Sequence, residues 1–263
     1  MTQTLPDARA LAAEIPISLP GLSGAQYRGA HRRAMAGQGD SFWQYRAAQP
    51  GDPAQAIDWR RSARGDTLYL RQTEWEVARE AGLWCAARAS MDFASGGVSK
   101  QDYGTRLLEA AALALEGGGE RVVSLEGPGA LHVRPGGAAQ ALPLHRHGRA
   151  VLISDFWDAP EDIAALLRAY AGRGVAGVLV HLLDPAERDF PYAGYVRLTG
   201  EGDPLDLPDA GAARAHYLEK LAAWRGRLAE MAGQAGFRVV SVETDLPMRA
   251  ALRSLRDALV ALR

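Results

Sequence analysis

Cysteine and long apolar runs are scarce in this sequence of 263 residues. The single cysteine, Cys85, excludes an internal disulfide bond and any metal site built from several cysteines. It lies in an apolar segment, which predicts a buried and unreactive thiol. No uninterrupted apolar stretch approaches the roughly 18 residues that are needed to cross a bilayer. We therefore expect no direct insertion into a membrane.

An excess of either charge is also missing, because the formal net charge is −1. No overall electric field therefore favours nucleic acid or an acidic membrane surface as a partner. The N-terminus has no basic region followed by an apolar one, so we expect no secretion signal. Hydrophobic residues make up 48% of the chain, which is enough for a substantial core. These features together predict a soluble cytoplasmic protein.

Motifs that carry well-known chemistry are absent as well. The chain has no G-x-S-x-G, no P-loop and no H-E-x-x-H. The glycines at 117–119 follow a predicted helix instead of opening one, so they indicate a helix stop and not a phosphate site. His145 and His147 form a close pair but lack further ligands for a transition metal. We predict a protein that is not an enzyme and needs no cofactor; an uncharacterised hydrolase is the alternative.

Strands and helices alternate from Leu83 onwards. Short apolar segments predict strands, and apolar side chains spaced by three and four predict helices. The predicted strands are 83–87, 121–125, 130–134, 150–154, 175–183 and 237–243, with the second and third forming a hairpin, and the predicted helices are 101–116, 163–170, 217–231 and 252–262. This alternation predicts an α/β fold, a mostly parallel sheet with helices on both faces. Ligands of such folds bind at the carboxyl ends of the strands.

A dense cluster of aromatic, arginine and aspartate residues occupies positions 42–64, reading FWQYRAAQPGDPAQAIDWRRSAR. Pro-Gly-Asp at 50–52 predicts a tight turn. One interpretation is structural: Asp52 and Asp58 pair with arginines, and Trp59 belongs to the core. The other is a binding surface, because Trp and Arg dominate interface hot spots. Both interpretations stay open, and the candidate residues are Arg46, Gly51, Asp52, Asp58, Trp59, Arg60 and Arg64.

This segment resembles the signature of the family called domain of unknown function 58, approximately R-x-Y-x-x-G-D-x-x-R-x-I-D-W-x-x-S-A-R. The chain matches it at Arg46, Gly51, Asp52, Ile57, Asp58, Trp59, Ser62, Ala63 and Arg64. It departs at Ala48, where the family has Tyr, and at Gln55, where Arg is usual. Further along, Ser90-Met91 and the Ile-Ser-Asp at 153–155 follow in the expected order, so the resemblance covers nearly the whole chain.

The resemblance implies a von Willebrand factor A-like, Rossmann-type sandwich over residues 81–263. It also implies a signature module at 26–80 packed on that domain, and residues 1–25 are expected to form an N-terminal extension on the surface or loosely ordered. Similar proteins accompany MoxR-type AAA+ ATPases. We therefore expect a non-enzymatic protein-interaction module, an adaptor or scaffold whose partner is such an ATPase.

In von Willebrand A domains, oxygen ligands from D-x-S-x-S and from later loops hold a divalent cation. Aligning Ser90 with this pattern puts Ala86 at the Asp and Arg88 at the first Ser, while Asp155 stands at the last carboxylate. A guanidinium repels a divalent cation and only donates hydrogen bonds. The resemblance thus implies a degenerate site without metal, in which Arg88 lies within about 4 Å of Asp155. A Mg²⁺-dependent adaptor is the alternative.

Overall fold

The computed structural model describes residues 5–19, 36–49, 57–63, 65, 67–74, 80–125, 144, 147–199 and 203–262. The helices are α1 (Ala8–Glu14), α2 (Trp59–Ser62), α3 (Lys100–Gly117), α4 (Pro160–Ala171), α5 (Pro185–Asp189), α6 (Ala210–Gln234) and α7 (Met248–Val260). The strands are β1 (Ala36–Ala47), β2 (Tyr69–Glu74), β3 (Glu80–Cys85), β4 (Arg121–Ser124), β5 (Arg149–Ser154), β6 (Ala176–Leu183), β7 (Val196–Leu198), β8 (Leu205–Leu207) and β9 (Phe237–Glu243). The chain divides into two compact units. The sheet unit contains Met1–Leu19 and Arg79–Arg263, and the signature unit contains Pro20–Ala78.

The sheet unit is built on five strands in the order β4-β3-β5-β6-β9. Every neighbouring pair in it is parallel, as the alternation of strands and helices predicts. Numbered along the unit, this is the order 2-1-3-4-5 of a doubly wound fold. The two central strands β5 and β6 are buried along nearly their whole length, which explains their almost continuous apolar sequences.

Helices cover both faces of this sheet. Val151 and Ile153 of β5 point into a core shared with α1, α3 and α7. Ala150 and Leu152, which alternate with them, point into a second core shared with α4 and α6. This division follows from the two-residue period of a strand, which sends successive side chains to opposite faces.

Helix boundaries in the sheet unit follow from local chemistry. The Ser99 side chain caps α3 by accepting a hydrogen bond from the backbone N–H of Asp102 at 3.0 Å. The same helix ends at the predicted glycine stop, where Gly119 has a φ of +86°. Asp184 and Glu187 form a capping box at the start of α5. These caps fix where the chain enters and leaves the carboxyl edge of the sheet.

Several expectations for this unit need correction. The expected N-terminal extension is wrong for residues 8–19, because α1 and the following Ile15 and Ile17 are buried in the core against α3. The aspartate cap at Asp7 was the available signal. α6 also begins seven residues before the predicted 217–231, at a cap formed by Asp209. The predicted strand 130–134 lies outside the described residues.

The signature unit has a two-stranded antiparallel pairing of β1 with β2. The short α2 lies between them in sequence and is tied to β2 by hydrogen bonds. Ser62 Oγ donates to the Asp58 carbonyl at 2.8 Å and accepts from the Tyr69 N–H at 2.9 Å. The Asp58 N–H also donates to the Tyr69 carbonyl at 2.8 Å. The Ile-Asp-Trp and Ser-Ala part of the motif therefore folds as one hydrogen-bonded turn.

Candidate functional site

The strand order of the sheet unit reverses between β3 and β5, so the loops that follow these strands leave toward opposite sides. Doubly wound sheets bind their ligands in the crevice that this reversal opens at the carboxyl ends of the strands. Arg88 follows β3 by three residues, and Asp155 follows β5 directly. The topology thus brings together two residues that are 67 positions apart in sequence.

The Arg88 guanidinium joins the two loops. Its Nε donates to Oδ1 of Asp155 at 3.1 Å, and its Nη2 contacts the same oxygen. Its Nη1 donates to Oδ1 of Asp158 at 2.8 Å. The contact with Asp155 that the sequence predicts is therefore confirmed. The contact with Asp158 was not predicted, and it means that one arginine holds both ends of the segment from Asp155 to Asp158.

Lys100 supplies a second cation that the sequence analysis missed. Its Nζ lies 3.2 Å from Oδ2 of Asp155 and 2.7 Å from Oε1 of Glu187, and the side chain is completely buried. One sequence signal could have revealed it. A lysine as the first residue of a helix opposes the positive end of the helix dipole, so a strong anionic partner is needed to keep it there.

These two cations decide the charge state of Asp155. Burial would raise the pKa of this carboxyl, but Lys100, then Ser90, then Arg88 lower it, and the net result is a pKa below its usual value. Asp155 is therefore an anion at neutral pH. The buried Ser90 oxygen acts on it without a hydrogen bond of good geometry.

A third loop is tied into the same edge through Asp184, which follows β6. Its carboxylate accepts hydrogen bonds from the Ser95 N–H at 2.8 Å, from the Ser95 hydroxyl and from the Ala186 N–H at 2.8 Å. The other oxygen of Glu187 accepts from the Asp184 N–H at 2.9 Å. The loops after β3, β5 and β6 thus form one connected network of charges and hydrogen bonds.

This network does not fit a divalent metal ion. Ala86 is buried and has no ligand atom, and the Lys100 ammonium and Arg88 guanidinium occupy the Asp155 oxygens. Both cations only donate hydrogen bonds, whereas Mg²⁺ needs oxygen donors. Among the described residues, no group of three or more His, Cys, Asp or Glu side chains is placed to hold a metal ion.

The segment after Asp155 is strained and carries an exposed ring. Phe156 has a left-handed φ of +50°, unusual for a bulky residue, and its side chain is fully buried. Its N–H donates to Ser154 Oγ at 3.1 Å. The next residue, Trp157, is 41% exposed. Strain of this kind persists only where the surroundings impose it, and the Arg88 contacts hold both ends of this segment.

Trp157 forms one wall of a groove of about 350 Å³ beside this network. Its ring stacks on Trp224 of α6, with centroids 6.4 Å apart and planes inclined by 24°. It also meets the edge of the buried His181 ring at 6.2 Å. Burial, with the positive charge of Arg225, lowers the pKa of His181 to about 4. The imidazole is therefore uncharged at neutral pH, and it lies in the core.

The signature candidates give a mixed result. Trp59 is 59% exposed, so its assignment to the core is wrong. Arg60 is exposed, and Asp58 is tied through its backbone to α2 and β2. The Arg46 side chain and the residues Gly51, Asp52 and Arg64 lie outside the described part of the chain. The motif residue with a clear structural role is Ser62, which the sequence analysis did not single out.

Cys85 behaves as its surroundings predict. The side chain is partly buried at the end of β3, and burial raises the pKa of its thiol to about 12. The thiolate is thus disfavoured at neutral pH, and this cysteine is not poised as a nucleophile.

The helices in the described part of the chain are each too short or too polar to span a bilayer.

Comparisons with known proteins agree with the resemblance of the signature segment. Uncharacterised proteins of Mycobacterium bovis and of two strains of Mycobacterium tuberculosis are each 28% identical to this chain over 251 residues, covering 82% of it and 78% of the relative. No solved structure matches the chain. The sequence profile described as "Protein of unknown function DUF58" matches residues 44–141 and 137–225. This chain is therefore a member of the DUF58 family.

Proposed function

We propose that this protein is a non-enzymatic protein-interaction module that docks a partner at the carboxyl edge of its sheet without a metal ion. The observation that carries the proposal is the pair of protein cations, Lys100 and Arg88, bound to the buried Asp155. In a metal-dependent adaptor the cation is taken up from solvent. Here the positive charge is part of the chain, so the edge is ready to bind at all times.

The exposed side chains of this edge support a docking role. Phe93, in the loop after β3, and Trp157, in the loop after β5, are each 41% exposed. Large aromatic side chains on a rigid base are typical of interface hot spots, because they bury much area and lose little conformational freedom. The network around Asp155 and Asp184 supplies that rigid base.

The kind of partner follows from the resemblance described above. Proteins similar to this one accompany MoxR-type AAA+ ATPases, and we propose such an ATPase as the partner, in assembly or activation of a target complex. We further propose that the sheet unit is a von Willebrand factor A-like domain with a degenerate cation site. The parallel sheet and the position of Asp155 at the end of β5 support this assignment.

Affinity purification of the full chain from its native cell tests the proposal. The unaltered chain should retain an AAA+ ATPase, with and without a chelator of divalent ions. Trp157→Ala should reduce the recovered ATPase at least about tenfold, because a buried aromatic hot spot contributes more than ~1.4 kcal/mol. Val260→Ala, at an apolar residue that is 47% exposed near the end of α7, is the matched control and should change nothing. Loss of the ATPase in the presence of chelator would contradict a metal-independent edge.

A further inference from the structure

The groove beside Trp157 is lined by charged residues as well as by apolar and aromatic ones. Its lining consists of Trp157, Asp158, Tyr217, Lys220, Leu221 and Trp224. Three of these six residues are aromatic, and the faces of aromatic rings attract cations as well as apolar groups. The lining also contains the Asp158 carboxylate and the Lys220 ammonium. The charge that the groove favours in an occupant therefore depends on what surrounds these two groups.

Two polar atoms of the lining are unsatisfied. Oδ1 of Asp158 accepts a hydrogen bond from Arg88, while Oδ2 is buried and makes no hydrogen bond within the described residues. The indole Nε1 of Trp224 is likewise buried without an acceptor there. A buried polar atom without a partner is costly. Both atoms have almost no exposed surface, so an occupant reaches them only after the Asp158 and Trp224 side chains shift toward the groove. An occupant that then donates to Oδ2 of Asp158 and accepts from Nε1 of Trp224 would remove both costs.

The fixed charges behind the groove favour a cation. Four carboxylates, those of Asp155, Asp158, Asp184 and Glu187, belong to the network, and among the described residues two cations, Lys100 and Arg88, pair with them. Lys220 opposes this field, but it lies on the exposed surface of α6, where solvent and salt screen its charge. Arg225 is already paired with Glu243 at 3.4 Å.

We propose that this groove receives an arginine side chain of a partner protein. Once Asp158 and Trp224 turn these atoms toward the groove, the guanidinium donates to Oδ2 of Asp158 and stacks on Trp157. A backbone carbonyl of the same segment then accepts from Nε1 of Trp224. Arginine fits better than lysine because its planar group hydrogen-bonds and stacks at the same time. The inference rests on the proposed function, since it names the chemistry of the partner at that docking face.

The test uses the full chain and two acetylated, amidated tripeptides, Leu-Arg-Leu and Leu-citrulline-Leu. Citrulline has nearly the shape of arginine without its charge. Calorimetry and the indole N–H signals in NMR spectra follow binding, with Trp157→Phe and Trp224→Phe assigning the two signals. The arginine peptide should bind about tenfold more tightly than the citrulline peptide, which corresponds to one cation–π contact with a charge-assisted hydrogen bond.

Charge substitutions in the groove sharpen the test. Asp158→Asn keeps an oxygen for Arg88, and it should weaken binding of the arginine peptide about tenfold. Lys220→Glu should strengthen binding, because it reverses the one opposing charge. Asp257→Asn makes the same charge change on an exposed side chain of α7, which packs on the other face of the sheet, and should have no effect.

Equal affinity for the two peptides, no binding of either, or weaker binding after Lys220→Glu would each overturn the arginine assignment. These outcomes are separable from failure of the proposed function. If the ATPase co-purifies through Trp157 while the arginine peptide does not bind, the docking face stands and its occupant is not an arginine side chain. If the arginine peptide binds while no protein co-purifies, the groove assignment stands and the proposed function fails.

Discussion

The Nζ atom of Lys100 lies 3.2 Å from Oδ2 of Asp155, and neither side chain is exposed to solvent. Together with Arg88 on the other oxygen of Asp155, this contact puts two cationic groups of the protein at the end of β5. Both groups are side chains of the protein, so the loops around them need no bound metal ion to take up this arrangement.

Replacing Lys100 by methionine should destabilise the protein by about 3–5 kcal/mol, the usual cost of leaving a buried charge without its partner. Methionine has nearly the length of lysine, so the loss reports charge more than packing. Urea denaturation at neutral pH measures the change in the free energy of unfolding. Lys220→Met is the matched control, and this exposed residue should change stability by no more than about 0.5 kcal/mol. Equal changes in the free energy of unfolding for the two substitutions would show that the buried contact stabilises the fold no more than an exposed lysine does.

Arg88→Met should lower the free energy of unfolding by about 3 kcal/mol, because it removes the cation that Asp155 and Asp158 share. The arginine side chain is only 17% exposed, so water does not fully replace it. The comparison is Arg197→Met, which breaks an exposed pair with Asp206 at 3.6 Å and should cost less than about 1 kcal/mol. Denaturant titration of both variants gives the two values. A cost for Arg88 as small as that for Arg197 would mean that water reaches this network freely.

Mg²⁺ should not stabilise the unaltered protein at millimolar concentration, because Lys100 and Arg88 hold the Asp155 oxygens. The double variant Arg88→Ser, Lys100→Ala removes both cations and leaves the oxygens of Asp155, Glu187 and Ser90, which suit a hard cation. Its melting temperature should therefore rise when Mg²⁺ is added. Thermal melts with Mg²⁺ and with a chelator check both proteins. A rise for the unaltered protein would restore the Mg²⁺-dependent alternative.

Stability should fall as the pH decreases from about 6.5 to about 4, because of His181. Burial and Arg225 lower the pKa of His181 to about 4 in the folded protein, against 6.5 for a solvated histidine. The unfolded chain therefore takes up a proton first as the pH falls, and this costs about 3 kcal/mol across that window. The stability is complete above pH 6.5. His181→Leu should remove this part of the slope, whereas His216→Leu, at a histidine that is 68% exposed, should keep it.

In the signature unit, Trp59→Ala should leave stability within about 0.5 kcal/mol, because this ring is mostly exposed. Ser62→Ala should cost about 1–3 kcal/mol, because it leaves the Tyr69 N–H without its acceptor. Differential scanning calorimetry on the full chain separates the two effects. If Trp59→Ala also reduces ATPase recovery, the segment is a binding surface. A large loss of stability for Trp59→Ala would return that residue to the core.

Patterns in the sequence are enough to predict most of the local structure of the sheet unit and much of its arrangement. Apolar periodicity located the strands of the parallel sheet and most of its helices, and the glycines at 117–119 marked the end of α3. The signature motif identified the family. The alignment of Ser90 with the cation-binding pattern that the resemblance implies predicted the Arg88–Asp155 contact. These features are readable because they depend on neighbours in sequence, or on a pattern that many related chains share.

The contacts of Lys100 and of Asp158 in this network became visible in the three-dimensional structure alone. Lys100 and Glu187 are 87 residues apart and come together because parallel strands deliver their loops to one edge. Apart from its position at the start of a helix, nothing in the sequence marks Lys100 as buried, since the charge of a lysine is stable inside a protein only where carboxylates surround it. The same holds for the groove. Trp157 and Trp224 read as unrelated aromatic residues until α6 packs beside the loop after β5 and stacks their rings.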